Sequence, residues 1–166
     1  HQSEFTLDCY FCVGLTEIFN ELTEGYEPQE HVKNLFSALC KSTNFKNDEI
    51  VEISNTTINE HQNKSLEEIF NLVIEKSSKK LYYSRILMLG IYKILTKAND
   101  FKDNEDITKI KIISELAEKL ELPLTRAEKD ISIYKTSIKR LFQARELLKE
   151  TVIADRKKRE DNKKKN

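Results

Sequence analysis

Glycine and proline are scarce in this chain, three and two residues among 166, so few positions force a helix or strand to break. Long uncharged apolar runs are missing too. The run Ile86–Tyr92, in the most apolar segment, falls far below the roughly 20 residues of a membrane-spanning helix, which excludes a span there. Cysteine is limited to three residues, an odd number, with Cys40 inside an apolar run. That pattern excludes a secreted disulfide framework and points to a reducing compartment. No Gly-rich phosphate loop, acid–base carboxylate pair or Ser/His/Asp set stands out, so enzymatic activity has no positive support. The histidines His1, His31 and His61 are scattered without ligand spacing, and no second C-x-x-C or C-x-x-H is present. A structural zinc site needs four such ligands. No metal and no cofactor are expected. The chain opens at His1 with neither Met nor a charged-then-apolar leader, and is expected to be cut from a longer parent.

What is there in quantity is charge: 34 % of residues, summing to formal neutrality, against 39 % apolar. The length suits one domain with a single core. Neutrality hides an asymmetry. Residues 123–166 carry fourteen Lys/Arg against seven Asp/Glu, a net of +7, so residues 1–122 sum to −7. A basic end on an acidic body attracts something anionic: a membrane face, a nucleic acid or an acidic partner. The plain alternative is a solvated helix whose charges only confer solubility.

Nearly every segment has helical period, and none alternates convincingly like a strand. The sequence predicts a helix from about Asp8 to Thr23 ending at Gly25, and a second opened by Pro28 in its first turn. A third, more polar helix starts near Asn47, with "SNTTINEHQNKS" as the place for fraying or a long loop. Ser65 and Glu68 form a capping box ahead of Ile69 and Phe70. The helix "LYYSRILMLGIYKIL" is apolar nearly all round and is expected at the centre, with Gly90 serving close helix–helix approach. A further helix covers about Thr108 to Leu120. After Pro123, Thr125 and Glu128 read as a second capping box. Beyond it Leu124, Ala127, Ile131, Tyr134, Ile138, Leu141, Leu148 and Val152 step by three and four, broken in register only by Arg145. That is a heptad seam, for an arm packing on the body or on another chain. The expected architecture is therefore all-α: a compact multi-helix bundle around a central apolar helix. Residues 1–122 form the body, 123–154 a long C-terminal helix, and 155–166 a basic, disordered tail.

Three stretches invite a chemical reading. Cys9-Tyr-Phe-Cys12 sits in the first turns of a helix, where a thiolate can be stabilised. Yet the chain lacks the βαβ setting of a redox pair, Asp8 opposes a Cys9 thiolate, and Cys12 lies on the apolar face. Core packing is the favoured reading. "IISELAEKLELPLTRAEKDI" has a helix-turn-helix rhythm, but with Glu121 at the Gly position of the turn and a very long following helix. Two antiparallel core helices explain it as well. Arg85, inside an apolar helix, has to reach the surface or pair with a carboxylate.

Several segments together resemble the thylakoid formation protein family, also described as photosystem II biogenesis proteins. "GYEP" (Gly25, Tyr26, Pro28) with "LFSALC" (Leu35–Cys40) resembles the family's pattern after its early helix. "YYSRILMLGIYKIL" resembles its core helix through Tyr83, Ser84, Arg85 and Gly90. "KDISIYK", "QARELL" and "ADRKKRE" resemble its long C-terminal helix, at Lys129, Asp130, Tyr134, Gln143–Glu146 and Ala154–Glu160. The likeness runs from about residue 5 to 160. A further helical segment of the family is missing before His1, which marks this chain as an N-terminally truncated member. Cys9 and Cys12 fall on ordinary helix positions of the family, Glu121 falls where Gly is common, and residues 44–64 and 97–108 match only loosely.

The resemblance implies a non-enzymatic factor in thylakoid membrane biogenesis and photosystem II assembly or repair. It implies a protein partner, the thylakoid FtsH protease complex, and peripheral association with the thylakoid membrane on its cytoplasmic or stromal side. A cyanobacterial cell is favoured over a plastid. Interaction is expected at Arg156, Lys157, Lys158, Arg159, Lys163, Lys164 and Lys165 of the basic end, and structural roles at Tyr83, Ser84, Arg85, Gly90 and Arg145. The rival reading is a helical nucleic-acid-binding regulator using the same basic end; on the favoured reading no nucleic acid is bound.

Overall fold

Polar side chains set where three of the helices begin. Asp8 accepts the backbone N–H of Tyr10 and Phe11, Ser65 and Glu68 complete both halves of a capping box, and Ser84 accepts the N–H of Leu87 at 3.0 Å. In the computed structural model, which describes residues 7–77, 81–102 and 104–164, these caps open α1 (Cys9–Thr23), α4 (Leu66–Lys76) and α5 (Arg85–Leu95). Between and after them lie α2 (Gln29–Ser42), α3 (Asn47–His61), α6 (Asn99–Lys102), α7 (Asp106–Lys119) and α8 (Leu124–Lys164). No strand occurs among the described residues, and the fold is all-α as the sequence predicts. The chain divides into two compact units, His1–Ser132 and Ile133–Asn166.

Four sequence expectations are corrected. Ser84 caps α5, so Leu81 to Tyr83 precede the helix. Pro28 is the N-cap of α2 and lies outside its first turn. Thr125 is no cap: α8 opens at Leu124, and the Pro123 carbonyl accepts from Arg126 and Ala127. Glu128 instead accepts the Ser114 hydroxyl of α7 at 2.7 Å. Finally, α8 runs to Lys164, past residue 154 where the sequence expectation ended it. No glycine or proline interrupts that stretch, and Lys, Arg and Glu are good helix formers.

The polar run in α3 is ordered helix up to His61. Ser54, Thr57 and His61 are buried there, and Thr57 and His61 spend polar atoms on carbonyls of their own helix. Thr57 Oγ1 donates to the Ile53 carbonyl at 2.7 Å, and His61 Nδ1 bonds the Thr57 carbonyl at 2.7 Å. Nδ1 therefore carries the proton, leaving Nε2 to face the Tyr10 hydroxyl of α1 at 3.4 Å. Both rings are fully buried and meet edge to face.

Alpha1 packs on α3 with one face and on α5 with another. Between α1 and α3, Cys12 and Ile50 join Phe36 and Cys40 of α2 in one cluster, with the Phe19 and Phe36 rings 4.9 Å apart. On the α5 side the helices cross at Gly14 and Gly90. A Cβ on Gly14 would collide with the Ile86 carbonyl oxygen, and one on Gly90 with the carbonyl oxygen of Tyr10. Gly90 thus serves close approach, as its place in an apolar helix suggested; Gly14, outside the apolar arc by sequence, is buried as its counterpart. Ion pairs Lys93–Glu21 and Lys97–Glu17 flank the same crossing.

Because the obstacles are backbone atoms, Gly14→Ala and Gly90→Ala should each destabilise the protein by about 3 kcal/mol, read as a lowered urea midpoint. His61 supplies a pH dependence. Burial, with Lys76 and Lys64 adding to it, pushes its pKa below the ordinary 6.5, while Thr57 and Glu60 oppose this. The unfolded chain then takes up a proton near pH 6.5 that the folded chain refuses, so stability falls as pH drops below that value. Denaturation at pH 7.5 and pH 5 should show the loss, and His61→Gln should remove this contribution.

Candidate functional site

The charge of Arg85 settles the local architecture at the start of α5. As the first residue of that helix, it donates through Nε to Asp130 Oδ1 at 3.0 Å. Asp130, in the second turn of α8, is buried and would be costly without partners. Its other oxygen accepts the Tyr83 hydroxyl at 2.8 Å. Burial, followed by the hydrogen bond to Asp130, raises the Tyr83 pKa above its ordinary value, so the phenol stays a donor. Arg126 completes the group with its guanidinium 5.1 Å from the Tyr83 ring centre. Three residues given structural roles by sequence, Tyr83, Ser84 and Arg85, are thereby brought together, with Ser84 capping the helix between the other two.

Gly90 lies at the α1 crossing. Arg145, within the second unit, sits half-buried with its guanidinium 5.7 Å from the Phe142 ring. Along the same helix Phe142, Leu147, Leu148, Val152 and Ile153 are exposed. Of the basic interaction residues, Arg156, Lys157 and Lys158 are exposed on α8. Arg159, Lys163 and Lys164 continue the helical backbone, and Lys165 lies outside the described residues.

The cysteines gain no chemistry from their surroundings. Cys12 and Cys40 are buried and Cys9 half-buried. Burial, then the Asp8 carboxylate, raises the Cys9 thiol, and burial pushes Cys12 up to about 12. A reactive thiolate needs the opposite environment. The described residues contain no cluster of metal-ligating side chains and no helix long and apolar enough to cross a membrane. A cleft of about 400 Å³ between α1, α2 and α3 has Phe19, Phe36 and Val51 among its lining, with Asn20, Asn47 and Asn55. Sequence inspection missed Asp130 and Arg126 as parts of the Arg85 group. The sequence required Arg85 to reach the surface or pair with a carboxylate, and it does both, but the acid lies 45 residues away.

A sequence model of the family described as "Thylakoid formation protein" matches residues 1–163. Protein Thf1 of Prochlorococcus marinus (strain MIT 9312) is 53 % identical over 158 residues, covering 95 % of this chain and 79 % of that one. Protein Thf1 of Parasynechococcus marenigrum (strain WH8102) is 32 % identical over 161 residues, covering 96 % and 75 %. The solved structure of Psb29 superposes with a TM-score of 0.76 over 95 % of this chain and 79 % of that one, at 24 % identity, a likeness of fold.

Removing the Tyr83 hydroxyl, or the buried Asp130 carboxylate itself, should be costly. Tyr83→Phe is expected to lower stability by about 1.5 kcal/mol, and Asp130→Ala by about 3 kcal/mol. The two losses should be non-additive in the double variant, as measured by urea denaturation.

Proposed function

The chain belongs to the thylakoid formation protein family, and on that premise we propose that it is a non-enzymatic accessory factor in photosynthetic membrane biogenesis and photosystem II assembly or repair. It docks on membrane FtsH protease complexes and associates peripherally with the thylakoid membrane, on the cytoplasmic side of a cyanobacterial cell. The observation that carries the reading is the family match over residues 1–163. The charge layout supplies a mechanism.

In this reading residues 1–122 are the docking body, 123–154 a connecting helix and 155–166 the cationic end. The exposed Arg156, Lys157 and Lys158 lie together on α8, continued in sequence by Arg159, Lys163, Lys164 and Lys165. A basic residue held near anionic lipid contributes roughly 1 kcal/mol, so several give reversible, salt-sensitive attachment. Relatives from Prochlorococcus and Parasynechococcus support the cyanobacterial setting.

Two measurements test this. Cosedimentation with vesicles rich in phosphatidylglycerol should be strong at low salt and weakened at least tenfold by deletion of residues 155–166. Binding indifferent to both salt and deletion would reduce the basic end to a solubilising helix. Affinity purification from thylakoid membranes should bring down an FtsH complex, and its absence defeats the docking claim. Tight binding to duplex DNA with a steep salt slope would favour the nucleic-acid reading instead.

A further inference from the structure

Arg85 and Arg126 are held by the Tyr83–Asp130 pair without being consumed by it. Arg85 reaches Asp130 through Nε alone, and 62 % of its side chain stays exposed against 5 % for Asp130. Tyr83 occupies the second carboxylate oxygen. The outer edge of the Arg85 guanidinium, Nη1 and Nη2, therefore has no partner among the described residues and faces outward. Arg126 is exposed; its backbone N–H is spent on the Pro123 carbonyl, while its guanidinium lies over the face of Tyr83. A guanidinium stacked in this way keeps its N–H edge for acceptors in its own plane. Lys129, three residues on in α8, and Tyr82 are exposed beside them.

We infer that Arg85 and Arg126 form a carboxylate-binding fork on the first unit, and that it seats an acidic peptide segment of a protein partner. The holding groups remove much of the rotamer freedom that arginine otherwise loses on binding, which favours affinity. Planar guanidiniums match carboxylates through paired hydrogen bonds. Arginine with tyrosine is also the composition of protein-binding hot spots. The setting selects a short acidic segment over an extended anionic surface. Residues 1–132 carry sixteen Lys/Arg against twenty-three Asp/Glu, so an extended lipid face or nucleic-acid backbone laid against this unit meets net repulsion. A few carboxylates at the fork itself do not.

The fork is independent of the cationic end of α8, and the test separates the two. A fluorescein-labelled octapeptide of Glu and Leu is titrated with the full chain and followed by anisotropy, with a Lys/Leu octapeptide as control. Saturable binding of the acidic peptide only is expected, weakened about tenfold by Arg126→Gln and by Arg85→Lys. The second variant keeps a cation against Asp130, and thermal melting by circular dichroism confirms that it folds. Deletion of residues 155–166 should leave the affinity unchanged. Peptide binding that survives both substitutions, or that disappears with the deletion, overturns the fork. Displacement of the peptide by low-millimolar inorganic phosphate would also overturn it, assigning the site to phosphate.

Discussion

Where α1 and α5 cross, two backbones meet with no side chain between them: Gly14 against the Ile86 carbonyl, Gly90 against that of Tyr10. Everything in the first unit that involves α1 inherits this spacing. Tyr10 is fixed by its carbonyl at the crossing, and its ring is thereby delivered to His61 on the other side of α1. Cys12, two residues on, enters the cluster with Phe36, Cys40 and Ile50. The ion pair Lys93–Glu21 joins the same two helices, and Lys97, just past the end of α5, pairs with Glu17 of α1. With α5 set against α1, its first residue, Arg85, is placed to hold the Asp130 carboxylate, and the opening turns of α8 are tied to the body.

Local signals in the sequence carried most of the helices. The Ser65–Glu68 capping box, the Asp8 cap and the Gly90 contact are each decided by chemistry within a few residues or by a single small side chain, and each was legible. Gly14 was not. An apolar arc is drawn from side chains, and a residue without one leaves no mark on it, although its absence of a Cβ is what the packing uses. The polar stretch of α3 misled for a related reason: Thr57 and His61 satisfy themselves against carbonyls of their own helix, so their polarity says little about burial. Ser84 and Thr125 show the limit of cap motifs. Both precede apolar helical runs, but Pro123 already ends the preceding turn and pre-empts Thr125, whereas nothing pre-empts Ser84.

The chemistry was legible in part. An arginine in an apolar helix has to reach the surface or find a carboxylate, and that alternative could be read without knowing the partner; Arg85 does both. Asp130 became its partner only through the return of the chain by way of α7, 45 residues on, which no short window contains. The family was readable because its motifs recur in order over most of the chain, and the match over residues 1–163 agrees. The turn before α8 gives a physical reason why glycine suits the position that Glu121 holds here, and the departure to Glu carries a conformational cost. Glu121 has φ 54°, a left-handed conformation that costs a residue with a Cβ more than it costs glycine.

The glycine crossing also bears on how such a sequence can diverge. Tyr10 and His61 meet through side chains, so a change in one can be answered by a change in the other, and the pair is free to drift together. Gly14 and Gly90 each press on a carbonyl, which every residue type possesses, so no substitution elsewhere makes room for a methyl group at either position. The two sites are locked one at a time, and neither can be rescued by its partner. Around them the acidic and basic surfaces can be rewritten while the angle between α1 and α5 stays the same.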